Sequence, residues 1–298
     1  MTCDGSGGGL GGKKFMKIGI TGFTGFVGSR LTQLAEAGGH QVIGFSRHPA
    51  KGVRGFSFDH PCDVSGLDVV IHLAGESILG LWTESKKRRI RESRILGTRS
   101  VVDGFEISKN PPQVLVSASA VGIYGDTGEA EVDESSPAGS GFLASVAREW
   151  EAEAVRAEAL GVRVVLLRIG FVLGPGGAMK LVGPLFRAGL GGNLGNGRQW
   201  MSAVHVDDVA GMALWASEKS TLRGPINAVM PAPFRNADFT KALGSAFHRP
   251  TILPAPAFAI RLALGELSHV LLDNCRVRPA VALKEGYPYR HASLSDAV

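Results

Sequence analysis

Short apolar runs alternate with stretches of helical spacing over the first half of the chain. Residues 17–21 (Lys-Ile-Gly-Ile-Thr) form an apolar run that leads into glycines. Val27, Leu31 and Leu34 follow at i, i+4 and i+7, the spacing of one helix face, and Gly38-Gly39 stop the helix. Gln41–Ser46 is a second apolar run. Strand, helix and strand thus fill about thirty residues, the unit that builds parallel sheets. Further strands are predicted over 67–73, 113–117 and 162–169. Ile90, Gly97, Val101 and Phe105 mark the inner face of one intervening helix; Phe142, Val146, Trp150 and Ala154, each four apart, mark another. The alternation predicts an α/β fold, a doubly wound parallel sheet with helices on both faces and right-handed crossovers.

Past Phe171 the texture changes. Prolines cluster (Pro231, Pro233, Pro250, Pro254, Pro256), helices look shorter and no further strand–helix–strand unit is evident. The expected division is a sheet domain over 15–170 and a smaller substrate-covering lobe over 171–298. Residues 1–14 are glycine-rich, with only Met1 and Leu10 large and apolar, and are expected to form a disordered tail. No internal repeat is seen.

Composition narrows the function classes. Apolar residues make up 44% and charged residues 20% of 298, an ordinary globular balance, and the net charge of +5 is too small to argue for nucleic acid. The basic run Lys86-Lys87-Arg88-Arg89-Ile90-Arg91 has no interleaved aromatics, and on a helix it spreads around the circumference as a solvated face. Three distant cysteines in no CxxC pair exclude a disulfide scaffold and a zinc ribbon, and the histidines show no metal spacing. No apolar stretch reaches the ~18 residues of a membrane span. The chain is expected in a reducing, soluble compartment: cytoplasm, or an organelle stroma or matrix. Glycine, 41 residues, is the outlier, and its clusters at 174–177, 189–192 and 195–197 read as loops over a sheet end, either a mobile lid or ordinary turns.

Gly22, Gly25 and Gly28 stand three apart between the first strand and its helix. The first lets the strand turn tightly, the second removes a side chain so that amides approach a pyrophosphate, and the third lets helix and strand pack closely. Candidate cofactor contacts are therefore Gly22, Thr24, Gly25, Phe26, Val27 and Gly28. An NAD site places Asp or Glu about 20 residues further on, for the ribose 2′-hydroxyl. Here Ser46 and Arg47 stand instead. Arginine's planar fork suits a 2′-phosphate, so NADP(H) is the expected cofactor, with Ser46 and Arg47 beside it.

The turn resembles that of the extended short-chain dehydrogenase/reductase superfamily. Later segments narrow the likeness: His72-Leu73-Ala74-Gly75-Glu76, Arg91-Glu92-Ser93-Arg94, Ser117 through Gly125, Arg168 through Gly174, Gln199-Trp200-Met201-Ser202 and His205-Val206-Asp207-Asp208. Together they are similar to the atypical branch labelled "epimerase family protein", from about Met16 to Ala297. The resemblance implies a Rossmann-type domain binding NADP(H) and a C-terminal lobe closing on a small-molecule substrate. It also implies that Leu73, Ala74 and Gly75 line the cofactor, with Glu76 and Arg94 beside them, and that Ser119 occupies the place of the superfamily's active-site serine.

Superfamily catalysis rests on a Tyr-x-x-x-Lys pair, in which lysine lowers the phenol's pKa for proton exchange during hydride transfer. Here those positions read Phe142 and Val146, which carry no proton. Ser119, Tyr124, Glu76 and His205 are the candidate substitutes, with Ser119 and Tyr124 foremost. Tyr124 reads equally as a packing aromatic with a satisfied hydroxyl, and His205 ahead of Asp207-Asp208 suits a helix cap. Gln199, Trp200 and His205 are candidate substrate contacts. Two functions stay open: an NADP(H)-dependent oxidoreductase or epimerase-like enzyme acting on a hydroxyl- or carbonyl-bearing substrate, and a non-catalytic NADP(H)-binding sensor or scaffold. A homodimer is compatible with either.

Overall fold

The computed structural model describes residues 15–298; the tail expected over 1–14 lies outside them. The elements run β1 Lys17–Thr21, α1 Phe26–Ala37, β2 Gln41–Ser46, β3 Val53–Gly55, β4 Val69–His72, α2 Glu84–Ile107, β5 Val114–Ala120, α3 Phe142–Val155 and β6 Arg163–Ile169. There follow β7 Phe171–Leu173, α4 Met179–Arg187, β8 Trp200–Met201, β9 Ala203–His205, α5 Val206–Glu218, β10 Gly224–Ala228, β11 Phe234–Arg235 and α6 Asn236–Ala246. Short helices α7 Ala257–Leu264, α8 Ser268–Leu272, α9 Ala280–Lys284 and α10 Leu294–Ala297 complete the chain.

Seven strands form one sheet in the order β10-β6-β5-β4-β1-β2-β3, every pair parallel. This is the doubly wound order, and the chain reverses direction across the sheet between β1 and β4. Side chains alternate between two cores. Ile18, Ile20, Val69, Ile71, Val116 and Leu167 pack with Leu31 of α1 and Met212 of α5 on one face. Val70, Leu115, Val164 and Leu166 pack with Val101 and Phe105 of α2 and Ala154 of α3 on the other. Burial on both faces explains why these strands read as unbroken apolar runs. No helix among the described residues is long and apolar enough to cross a membrane.

Two strands of the sheet escaped the sequence reading. β3 is only three residues long. β10, the edge strand beyond β6, reads Gly-Pro-Ile-Asn-Ala; proline is tolerated there because an edge strand leaves amides unpaired. The expectation of no strand–helix–strand unit past 171 is thereby corrected: β6, α5 and β10 make one. The remaining C-terminal elements surround a separate apolar cluster built on Leu173, Phe186, Met230, Phe234, Phe239 and Leu243.

Candidate functional site

The carboxyl ends of β1, β4 and β5 meet where the winding reverses. Thr21, the last residue of β1, ties two of them together. Its hydroxyl oxygen accepts the amides of Leu73 and Ala74, each at 3.1 Å, and faces His72 Nδ1 at 2.7 Å. With two amides already donated to it, the hydroxyl gives its own proton to Nδ1, which leaves His72 protonated on Nε2. Burial pushes the His72 pKa down to about 4, and Nε2 has no partner.

The glycines of the turn differ in what they permit. Gly22 has φ +68°, and a Cβ there would meet the Leu73–Ala74 peptide at 3.0 Å. A Cβ on Gly28 would lie 2.1 Å from Gly22 O, so this glycine lets α1 pack against the turn. At Gly25 a Cβ would meet only Gly22 O, at 3.1 Å, and otherwise open space. Gly25 is the N-cap of α1 and offers no side-chain cap, so the first-turn amides point outward unmasked. Thr24 and Gly25 are exposed, and Phe26 and Val27 half-buried. The Phe26 ring lies under the 174–177 loop, where a Cβ on Gly176 would come within 2.4 Å of it. Glycines there let the loop cover the start of α1.

At the end of β2, the Ser46 hydroxyl accepts the His48 amide at 3.1 Å. Arg47 is exposed and has no carboxylate partner among the described residues. Past β4, Arg94 lies 3.5 Å from where a Gly75 Cβ would be. It donates through Nη1 to the carbonyls of Glu76 and Ile90 and sits 5.2 Å from the Trp150 ring centroid. Burial lowers its pKa to about 10. Glu76 is tied to Lys86 Nζ at 2.8 Å, and that bond holds its carboxyl below the usual range, so it carries no proton to give near neutral pH.

Ser119 and Tyr124 are both buried and belong to one polar chain. Ser119 Oγ donates to Glu151 Oε1 at 2.6 Å, and Glu151 takes Nε and Nη2 of Arg168, both at 2.8 Å. Arg168 Nη1 donates to Tyr124 OH, which donates to Asn227 Oδ1, each at 2.8 Å. Burial opposes the Arg168 charge, but the Glu151 bonds outweigh it and raise its pKa. Burial also raises the Tyr124 pKa. Glu151, Arg168 and Asn227 were missed in the sequence. A signal existed: Arg168 is the one charge inside the apolar Val-Val-Leu-Leu-Arg-Ile run, and the β5–β6 register pairs it with Ser119. At the place of the absent pair, Phe142 stands edge-on to Trp82 at 5.3 Å with Lys87 Nζ 5.6 Å from its ring centroid, and Val146 is buried.

Of the three expected substrate contacts, Gln199 lines a cleft together with Glu129, and Trp200 bonds that Glu129. His205 caps α5, accepting the Asp207 amide on Nδ1 at 3.2 Å, and its ring lies 3.8 Å from that of His291, tilted by 40°. Burial, then the neighbouring His291, lowers its pKa. The ligating atoms of His205, Asp207 and His291 fall within 4.8 Å of one another, but Arg30 holds the Asp207 carboxylate at 2.6 Å, tying α1 to α5. Gln199 is buried and its amide nitrogen is spent on the carbonyls of Leu194 and Leu271. Trp200 lies between the guanidiniums of Arg235, at 3.8 Å, and Arg276, at 4.6 Å, and donates to Glu129.

A model of the NAD dependent epimerase/dehydratase family matches residues 18–228, and one of a domain of unknown function, DUF1731, matches 255–298. The first of these ends at the last residue of β10. The chain is 39% identical to the epimerase family protein SDR39U1 homolog, chloroplastic, of Arabidopsis thaliana, over 95% of this chain and 86% of the relative. It is 36% identical to the epimerase family protein YfhF of Bacillus subtilis, over 95% and 97%. The crystal structure of human epimerase family protein SDR39U1 (isoform 2) with NADPH superposes with a TM-score of 0.90, at 34% identity over 95% of this chain and 97% of that one.

Proposed function

This chain belongs to the NAD dependent epimerase/dehydratase family, and from that premise we propose that it binds NADP(H) at the carboxyl ends of β1, β2 and β4 and acts on a small substrate bearing a hydroxyl or carbonyl group. The observation that carries the reading is the turn itself. Unmasked amides at the start of α1 face space that only a glycine at position 25 leaves open, and the end of β2 bears an exposed arginine, without a carboxylate partner among the described residues, where an NAD site would bear a carboxylate. The residues present fit the dinucleotide: Gly22, Gly25 and the first-turn amides for the pyrophosphate, Ser46 and Arg47 for a 2′-phosphate, Leu73 to Gly75 along the end of β4. The NADPH-bound human relative supports the same choice.

When bound, the nicotinamide donates or accepts a hydride. The chain's own part is to orient and to exclude water: the 174–177 loop covers the start of α1, and the Ser119 chain sits at the end of β5. Ser119 gives its proton to Glu151, so toward a ligand its hydroxyl is an acceptor. A second reading, an NADP(H)-binding sensor without turnover, is favoured by one observation: Phe142 and Val146 leave no proton donor where the superfamily keeps one.

Thermal shift tests the first claim. At 100 times Kd, bound ligand contributes about 2.7 kcal/mol. At about 0.6 kcal/mol per degree for a chain of this size, that raises Tm by about 4–5 °C. NADPH is expected to give that shift and NADH a smaller one, with Arg47→Ala abolishing the difference. Equal shifts would refute the NADP preference, and no shift with either would refute the reading. Turnover on a carbonyl and sugar-nucleotide panel that Ser119→Ala abolishes separates enzyme from sensor; tight NADPH binding without turnover assigns the sensor.

A further inference from the structure

Two stretches of the C-terminal part, 174–206 and 239–265, contain no aspartate or glutamate, yet carry Lys180, Arg187, Arg198, Lys241, Arg249 and Arg261. They lie side by side. Arg249 donates to the Arg187 carbonyl, Arg187 covers the Phe247 ring, and the Ala255 amide bonds the Asn193 carbonyl. This ground also exposes large apolar side chains. α4 turns Val182 and Phe186 inward and leaves Leu181 and Leu185 outside; Leu190 follows. Ile252 is 76% exposed, and on α7 Phe258 and Leu262, one turn apart, are 74% and 87% exposed. Ala257 and Arg261, the adjacent stripe of α7, line a cleft of about 600 Å³ with Gly195, Asn196, Arg198 and Leu272. One acid, Glu129, reaches that cleft, and Arg235 and Trp200 hold it.

We propose that the α4–α7 face docks on an anionic phospholipid surface, its exposed leucines and phenylalanine entering the acyl boundary while Lys180, Arg187, Arg249 and Arg261 meet the headgroup phosphates. Charge selects this occupant. Apolar side chains flanked by lysine and arginine, with the nearby acids Glu129 and Glu266 each held by a basic partner, match a negatively charged lipid interface. A second copy of the chain is disfavoured, because a two-fold contact would set Arg187, Arg249 and Arg261 against the same residues. The arginine-lined cleft beside Phe258 is placed to receive a headgroup phosphate at the same interface. The proposal is independent of the NADP(H) reading, since none of these residues belongs to the dinucleotide site.

Flotation of the full chain with vesicles of phosphatidylcholine alone, and of phosphatidylcholine with 30 mol% phosphatidylglycerol, tests it. Binding is expected to the mixed vesicles only, and to fall at least tenfold at 0.5 M NaCl. Leu181→Asp with Leu185→Asp, and separately Phe258→Ser with Leu262→Ser, are expected to lower it at least tenfold. Ile107→Asp, on an equally exposed apolar residue at the end of α2, is expected to leave it unchanged. Melting temperature and NADPH binding check that each variant is folded; should one pair fail to fold, Arg187→Glu with Arg261→Glu replaces it. Binding that ignores phosphatidylglycerol, or that the folded variants retain, overturns the proposal. So does a concentration-dependent dimer in light scattering that the same variants dissolve, which would give the face to a second copy.

Discussion

Gly25 and Gly28 stand only three residues apart, yet adding a methyl group to each should break different things. At Gly28 the Cβ would lie 2.1 Å from Gly22 O and 2.8 Å from Gly22 C and Phe23 Cα. All three are backbone atoms that cannot swing aside, so α1 must move off the turn. Overpacking of this kind costs about 3 kcal/mol, offset by about 1 kcal/mol of helix propensity. The net loss of about 2 kcal/mol lowers the ligand-free Tm by about 3 °C. At Gly25 the backbone is extended (φ −73°, ψ 174°), which alanine adopts freely, and the single contact at 3.1 Å needs a shift of a few tenths of an ångström. The poorer N-cap costs under about 1 kcal/mol, less than about 2 °C. The new methyl group instead fills space that the pyrophosphate needs. Gly25→Ala should therefore weaken NADPH at least tenfold, measured by titration calorimetry or by quenching of intrinsic fluorescence, while the ligand-free melting curve hardly moves. Gly28→Ala should lower both. If Gly25→Ala binds NADPH as the parent does, the phosphates do not rest on these amides, and the site assignment fails.

Other outcomes follow from the buried polar groups. Glu151 and Arg168 have side chains only 10% exposed, so Glu151→Leu or Arg168→Met alone strands a buried charge and should cost about 3–5 kcal/mol, or about 5–8 °C in Tm. The double substitution should cost less than either single one; an additive loss would show that the pair is not coupled. His72 titrates at about 4 in the fold against about 6.5 unfolded. The unfolded chain therefore binds the extra proton first, and stability is lost as pH falls below about 6.5 and until it reaches about 4. Between pH 7 and 5 that amounts to about 2 kcal/mol, read as a fall in the urea midpoint, and His72→Asn should flatten the profile over this window. An unchanged slope in that variant would place the acid sensitivity elsewhere, with His205, whose pKa is also lowered, the next group to examine.

The first strand–turn–helix–strand was readable because everything that makes it is local. The apolar spacing, the three glycines and the Gly38-Gly39 stop lie within thirty residues, and the structure places β1, α1 and β2 on them. The inner faces of α2 and α3 were legible for the same reason. β10 was not, because its proline and asparagine argue against a strand, and only its place at the sheet edge makes them acceptable. The chain from Ser119 to Asn227 was hidden for a different reason. Its members come from β5, the turn after it that carries Tyr124, α3, β6 and β10, and run from position 119 to position 227, so no spacing rule links them. Gln199 and Trp200 looked like pocket residues because an amide and an indole beside a glycine loop suit a ligand. In the fold Gln199 does line the cleft beside α7, with its amide nitrogen bonded to the Leu194 and Leu271 carbonyls, and two arginines lie over the Trp200 ring.

The absent tyrosine and lysine bear on any reaction at this site. Reduction of a carbonyl needs a group that releases a proton to the nascent alkoxide, and oxidation of the alcohol, its microscopic reverse, needs the same group to take that proton back. On the proposed reading, every candidate that the fold places near the ends of β4 and β5 is a poor proton donor. Ser119 has committed its proton to Glu151, Tyr124 has given its own to Asn227 with its pKa raised by burial, and Glu76 is held below its usual range by Lys86. What remains is acceptor capacity at Ser119. A substrate alcohol that donates to Ser119 would be fixed there, and water must then carry the proton away. The arrangement thus leaves both directions without a side chain that exchanges the proton, so water must carry it either way, and a turnover panel is run with alcohols and NADP+ as well as with carbonyls and NADPH.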